Sequence, residues 1–222
     1  MNTNKLMVKI SIVLSIIYFN CGAFVYHVRP WPHGKIPYTY EQNFPYSDRL
    51  YIETCMLEWE RETNVDFEYC HNCEKEYYVL VIVKDKNTDN PASSSSVGYG
   101  PSPAIIFGQI GQHVVIHELG HVIGFLHEHQ RPDRDEYIKI NYSNIDKSSI
   151  FCFEKRPQEE FVYNYKKFPY DYTSIMHYYN TTFSKNGKKT IESPIPTGND
   201  LPSKLDILKV IDIYGKPKVT KQ

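Results

Sequence analysis

Apolar residues recur along this chain with changing periods, and each change marks a new element. The aromatic-rich run from Gly34 to Glu41 ends in a turn and reads as a first strand. Ile52, Cys55, Met56 and Trp59 then fall at i, i+3, i+4 and i+7, the stripe of an amphipathic helix. Ser47 or Asp48 supplies its cap, and it ends near Thr63. Val65 to Tyr69 and Tyr77 to Val83 read as further strands, the second too continuously apolar for an exposed edge. From Asp85 to Pro103 the residues Asn, Asp, Ser, Gly and Pro dominate, including four consecutive serines, and predict a surface loop. Ala104 to Phe107 is a short strand, and Val114, Val115, Ile116, Leu119, Val122 and Ile123 form the apolar side of a second helix. Strands and helices thus alternate up to Gly124; beyond it the periodicity weakens, and the second half should be mostly irregular. A final helix opens at Ser203 with Asp206 three positions on, a capping-box pattern. Ile207, Leu208, Ile211 and Tyr214 make its expected buried face, and Gly215 with Pro217 stops it.

The second helix also carries chemistry. His117 and His121 are four apart and lie on one helical face, so both imidazoles can grip one ion. Glu118 is swung round the helix, close to the metal's other ligands without being one. Gly124 can take the left-handed conformation that turns the chain sharply and returns His127 to the ion from a new direction. Three neutral imidazoles with an open fourth position describe a catalytic Zn2+ ion, because structural zinc closes its shell. A buried amphipathic helix that merely carries histidines is the plainer reading; the offsets of Gly124 and His127 complete a zinc-protease signature and weigh against it.

Composition narrows the setting. The 222 residues suit one domain with an ample core, and a net charge of −1 implies no nucleic-acid partner. Residues 1–22 read as a secretory signal: Lys5 and Lys9, then the apolar run Ile10 to Phe19, then Asn20-Cys21-Gly22-Ala23. That run is shorter than the roughly 20 residues that span a bilayer, and no second apolar stretch follows, so a secreted protein without membrane anchor is expected. Disulfides are then permitted. With Cys21 lost to the signal, Cys55, Cys70, Cys73 and Cys152 remain and allow three pairings. Cys70 and Cys73 have the spacing of half a zinc site, but no partner pair follows, so a disulfide or free thiols fits better. Asn141-Tyr142-Ser143 and Asn180-Thr181-Thr182 are N-glycosylation sequons.

The residues after the helix, Phe125-Leu126-His127-Glu128-His129-Gln130-Arg131-Pro132-Asp133-Arg134-Asp135, and the later Ser174-Ile175-Met176-His177-Tyr178 extend the motif. Together they resemble the astacin family of metzincin zinc endopeptidases, whose pattern is HExxHxxGFxHEHxRxDRD with a later SxMHY. Trp31 to Tyr38 is similar to the family's opening WxxGxIPY, and Leu201 to Tyr214 to its final helix. The resemblance implies an α+β fold: an N-terminal half with a twisted mixed sheet and two helices, a mostly irregular C-terminal half with one final helix, and an active-site cleft between them. The expected divisions are a signal at 1–22, a catalytic domain at 23–215 with subdomains 23–124 and 125–215, and a flexible tail at 216–222. It further implies that Tyr178 is a fifth zinc ligand that swings off to hydrogen-bond the tetrahedral intermediate, that Met176 floors the metal, and that Glu128 binds the mature N-terminus. Two disulfides usual in the family are missing here: Asn64 stands at one position with no Cys in the tail to meet it, and Ser93 and Gln109 replace the other pair. The prosegment stretch FxGD is also missing before Trp31, so signal removal alone is expected to yield the working N-terminus.

The expected activity is hydrolysis of internal peptide bonds by a zinc-activated water, with Glu118 as general base. A monomer is expected to take an extended protein or peptide substrate by β-addition along Ala104 to Phe107, with Ala104 and Ile105 giving backbone hydrogen bonds. A secreted zinc-binding module or toxin without proteolysis is the competing reading.

Overall fold

The computed structural model describes residues 28–217 apart from 72, 74–77 and 86–92; the expected signal and mature N-terminus lie outside the described residues. Lys35–Tyr40 (β1), Asp66–Tyr69 (β2), Leu80–Lys84 (β3), Ser94–Ser95 (β4) and Ala104–Phe107 (β5) form one sheet in the order β2-β1-β3-β5-β4. All pairings are parallel except β4 against β5. The central position of β3 explains its unbroken apolar run: Leu80 and Ile82 are fully buried between two neighbouring strands. The serine run expected to be loop instead supplies the edge strand β4, too short and polar to carry a strand signature.

Helix α1 spans Tyr46–Glu60 and buries Ile52, Cys55, Met56 and Trp59, the stripe that the spacing predicts. Its cap position is Pro45, so neither Ser47 nor Asp48 caps it; Asp48 lies in the first turn, where a carboxylate suits the helix dipole. Helix α2 spans Gln112–Ile123. Two buried indoles fix its place by donating to its carbonyls, Trp59 Nε1 to Ile116 O at 3.1 Å and Trp31 Nε1 to Val122 O at 2.7 Å.

Past Gly124 short 3-10 turns dominate, with one two-stranded pairing of Lys139–Ile140 (β6) and Ile191–Glu192 (β7). The large core cluster joins both halves: Phe125, Phe161, Tyr163, Ile175, Met176 and Val210 pack with the sheet and α2. A smaller cluster of Ile138, Ile145, Phe153, Tyr170 and Ile191 lies in the second half alone.

Helix α3, Lys204–Tyr214, has the expected capping box of Ser203 and Asp206, but its buried face differs from the one periodicity suggests. Leu208 is half exposed, and Asp206, Lys209 and Val210 are the buried residues. A lysine is buried because it has a partner inside: Lys209 Nζ lies 2.8 Å from Glu128 Oε2, and both side chains are 1% exposed. Arg131 Nη1 donates to the other oxygen of Glu128 at 2.9 Å, as does the Asp171 N–H at 3.0 Å, and the Tyr163 hydroxyl donates to Oε2 at 3.2 Å. Two cations and further donors on one carboxylate offset the cost of desolvating it and hold it below the usual carboxylate range.

Hydrogen bonds stand where the two missing disulfides would be. Asn64 Nδ2 donates to Tyr214 O at 3.1 Å, and Asn64 N–H to Gly215 O at 3.1 Å. Ser93 Oγ donates to Gln109 O at 3.4 Å and accepts from Gly108 N–H at 3.2 Å. Cys70 and Cys73 form a disulfide, while Cys55 and Cys152 are free. Of the two sequons, Asn180 is committed internally: its Nδ2 donates to Ile191 O at 2.8 Å and Ser193 Oγ at 2.9 Å, so a glycan there would break both bonds.

Two stability outcomes follow from these contacts. Asn64→Ala should lower the unfolding free energy by about 1 kcal/mol, the ordinary net worth of one hydrogen bond. Lys209→Met should cost about 3 kcal/mol or more, because it strips one of the cations from a buried carboxylate. Urea unfolding with a shared m-value measures both; an unchanged midpoint in Lys209→Met would contradict the role given to the buried pair.

Candidate metal centre

Helix α2 ends where Gly124 adopts φ 127°, ψ 7°, a conformation side-chain-bearing residues rarely take. Its N–H reaches back to Gly120 O and His121 O, and Phe125 N–H to Gly120 O at 3.0 Å. The chain then reverses and brings His127 against the helix. One ligand atom each from His117, His121 and His127 lies within 4.8 Å of the others.

Each imidazole has its Nδ1 on a carbonyl oxygen: His117 on Ile175 O at 2.8 Å, His121 on Phe125 O at 2.6 Å, His127 on Gln130 Oε1 at 3.3 Å. A carbonyl oxygen only accepts, so each Nδ1 carries the hydrogen and each Nε2 keeps its lone pair. Burial depresses the basicity of all three, His117 and His121 to about 4 and His127 well below its ordinary value, so they are neutral at neutral pH. Two such lone pairs, on His117 and His127, sit with their Nε2 atoms only 3.1 Å apart. A tetrahedral zinc bound at about 2.0–2.1 Å separates its nitrogens by about 3.3 Å. The donor set therefore fits a zinc ion, and a cation between the lone pairs relieves a contact that would otherwise be repulsive.

Glu118 is 6% exposed, and its Oε2 accepts from Ser95 Oγ at 2.7 Å. Burial pushes its carboxyl above the usual carboxylate range, with His117 and the Ser95 hydroxyl pulling it partly back. Sequence reasoning missed Ser95, whose serine run looked like loop. Its strand, β4, is the edge beside α2, with the Gly98 N–H just beyond it on His121 O at 3.0 Å. The expectation that Ala104–Phe107 rims the cleft is corrected here: β5 is interior, flanked by β3 and β4, and its backbone is already paired.

Met176 packs against α2 at Gly120. A Cβ built on Gly120 would come within 2.5 Å of its sulfur, so glycine at 120 is what lets the Met176 turn approach. That role was not apparent in the sequence. Glu128 N–H donates to Met176 O at 2.9 Å, and Glu128's carboxylate faces away into the buried pair with Lys209. Tyr178 stacks on His129 at 4.0 Å between centroids and lies 4.6 Å from the His127 ring. The charge cluster after the site is structural: Arg131 pairs with Asp133 and Arg134 with Asp135.

Comparison with known proteins agrees with this geometry. The family model described as Astacin, a peptidase family, matches residues 24–214. The chain is 34% identical over 195 residues to zinc metalloproteinase nas-13 of Caenorhabditis elegans, covering 86% of this chain but 42% of that protein. It is 34% identical over 199 residues to low choriolytic enzyme of Oryzias latipes, covering 83% of this chain and 68% of that protein. In structure it is similar to high choriolytic enzyme 1, a hatching-enzyme zinc-protease of the same fish, with TM-score 0.70, 26% identity, and 88% of this chain and 98% of that one covered. Its fold is that of the metzincin zinc proteases, and the chain belongs to the astacin family.

Proposed function

We propose that this protein is a secreted, monomeric zinc metalloendopeptidase that cleaves internal bonds of extended protein or peptide substrates. One observation carries the reading: three imidazole lone pairs converge on one point, with a desolvated carboxylate on the next residue of the same helix. A module that only stored zinc would gain nothing from burying Glu118. Among the described residues no helix is long and apolar enough to cross a membrane.

His117, His121 and His127 would hold the zinc through Nε2. Bound there, zinc supplies a Lewis acid that lowers the pKa of water toward about 7 and polarises a carbonyl oxygen. Glu118 takes a proton from the attacking water at its carboxylate and delivers it to the leaving amine. The Ser95 hydroxyl on Oε2 leaves Oε1 to do the work. Tyr178 donates its phenolic hydrogen to the tetrahedral oxyanion, a contact absent from the ground state.

The edge strand β4 would align the substrate. Ser94 pairs with Ile106 and Ser95 with Ile105, and the Ser96 N–H donates to Ala104 O at 2.9 Å. Ser95 then falls at the position whose own N–H and C=O point away from β5, toward an added strand. Backbone pairing of this kind demands an extended peptide and reads little of its side chains.

Glu118→Gln should retain one equivalent of zinc and lose at least about 10²-fold in kcat on casein. Normal digestion by that variant would remove Glu118 from the base role. Ser95→Ala should lower kcat by roughly tenfold with a smaller change in KM, as loss of a group that orients a catalytic one does. Titration with 1,10-phenanthroline should abolish digestion and zinc should restore it; full activity in the chelated, metal-free protein would overturn the reading.

A further inference from the structure

A second side-chain cluster stands one turn before His117 on α2, and the proposed chemistry leaves it unused. The His113 ring lies 5.7 Å from the His117 ring and 5.3 Å from that of Tyr179, the residue after Tyr178. The Tyr179 hydroxyl donates to Asp200 Oδ1 at 2.7 Å. His113 Nδ1 donates to Asn199 O at 2.9 Å and stays 3.8 Å from Asp200 Oδ1, beyond hydrogen-bond distance. The loop that carries Asp200 is tied to the turn that carries Tyr178. Thr197 Oγ1 donates to Tyr178 O at 2.7 Å, Thr197 N–H to Asn180 Oδ1 at 3.1 Å, and Gly198 N–H to Tyr172 O at 2.8 Å.

Asp200 is held through one oxygen only. Its Oδ2 takes no partner among the described residues, and the side chain is 75% exposed. The sequence around it offers no compensating strong base: α2, residues 175–182 and residues 190–203 contain neither Lys nor Arg. A fixed carboxylate thus faces solvent beside a candidate zinc ligand, with an oxygen to spare. We propose that Asp200 is a specificity-determining residue that receives a cationic side chain, Lys or Arg, from a substrate position close to the scissile bond. This inference rests on the peptidase reading of the site. Because Tyr179 already orders the carboxylate, a substrate cation meets a preorganised partner. Backbone pairing along β4 reads few side chains, so one charge at the rim supplies a selection that the strand cannot.

Binding reads this preference without catalysis. In zinc-loaded Glu118→Gln protein, fluorescence anisotropy compares short labelled peptides that carry Arg, Gln or Glu at one position at a time. At one position Arg should bind roughly three- to fivefold tighter than Gln, the worth of a solvent-exposed ion pair, and Glu should bind more weakly than Gln. Adding Asp200→Asn keeps an acceptor for the Tyr179 hydroxyl and should remove the difference, whereas Asp200→Lys should reverse the order and favour Glu. About 1 M salt should shrink the Arg preference in the parent protein, because exposed charges are screened. With the active enzyme, the same preference should appear in kcat/KM and shrink in Asp200→Asn chiefly through KM. Equal binding of all three peptides at every position, no measurable binding, or an Arg preference that survives Asp200→Asn would overturn the proposal. An Arg preference in binding with no cleavage by the wild-type protein would bear on the peptidase reading alone.

Discussion

Three hydrogen bonds from imidazole Nδ1 atoms to carbonyl oxygens are the constraint on which the metal centre depends. Each selects the tautomer that leaves a lone pair at Nε2, and each comes from a different part of the chain. Ile175 brings the Met176 turn, Phe125 the reversal after Gly124, and Gln130 the turn that also carries Glu128. Without these acceptors the rings could rotate or exchange tautomers, and neutral histidines at the right spacing would not form a site. The irregular second half of the molecule therefore supplies the acceptors that orient the three imidazoles.

The buried ionic pair serves the same end from the other side. Glu128 follows a candidate ligand directly, and Lys209 reaches it from the last helix, joining residues 81 apart in sequence. Asp206, one turn before Lys209, accepts from Ser174 Oγ at 2.7 Å and Ile175 N–H at 2.9 Å. Helix α3 thus braces both the turn that carries Glu128 and the turn that carries Met176. Its polar buried residues orient these turns in a way that apolar contacts, which lack direction, could not.

Much of this was legible in the sequence because local rules govern it. The period of α1, the central apolar strand, the spacing of His117, His121 and His127 and the capping box of α3 are short-range signals. What escaped was non-local. Ser94 and Ser95 form a strand only because β5 offers an unpaired edge, and that edge strand displaced Ala104–Phe107 from the rim of the cleft. Lys209 is inside and Leu208 half outside because Glu128 waits in the core, which no helical periodicity can reveal. Gly120 looked like an ordinary helix interior until Met176 was seen against it.

X-ray absorption at the zinc edge of the loaded protein tests the central claim most directly. Three imidazole nitrogens at about 2.0–2.1 Å with an additional oxygen is the shell expected for an open catalytic site. A sulfur scatterer at about 2.3 Å, or a fourth imidazole in place of the oxygen, would contradict it.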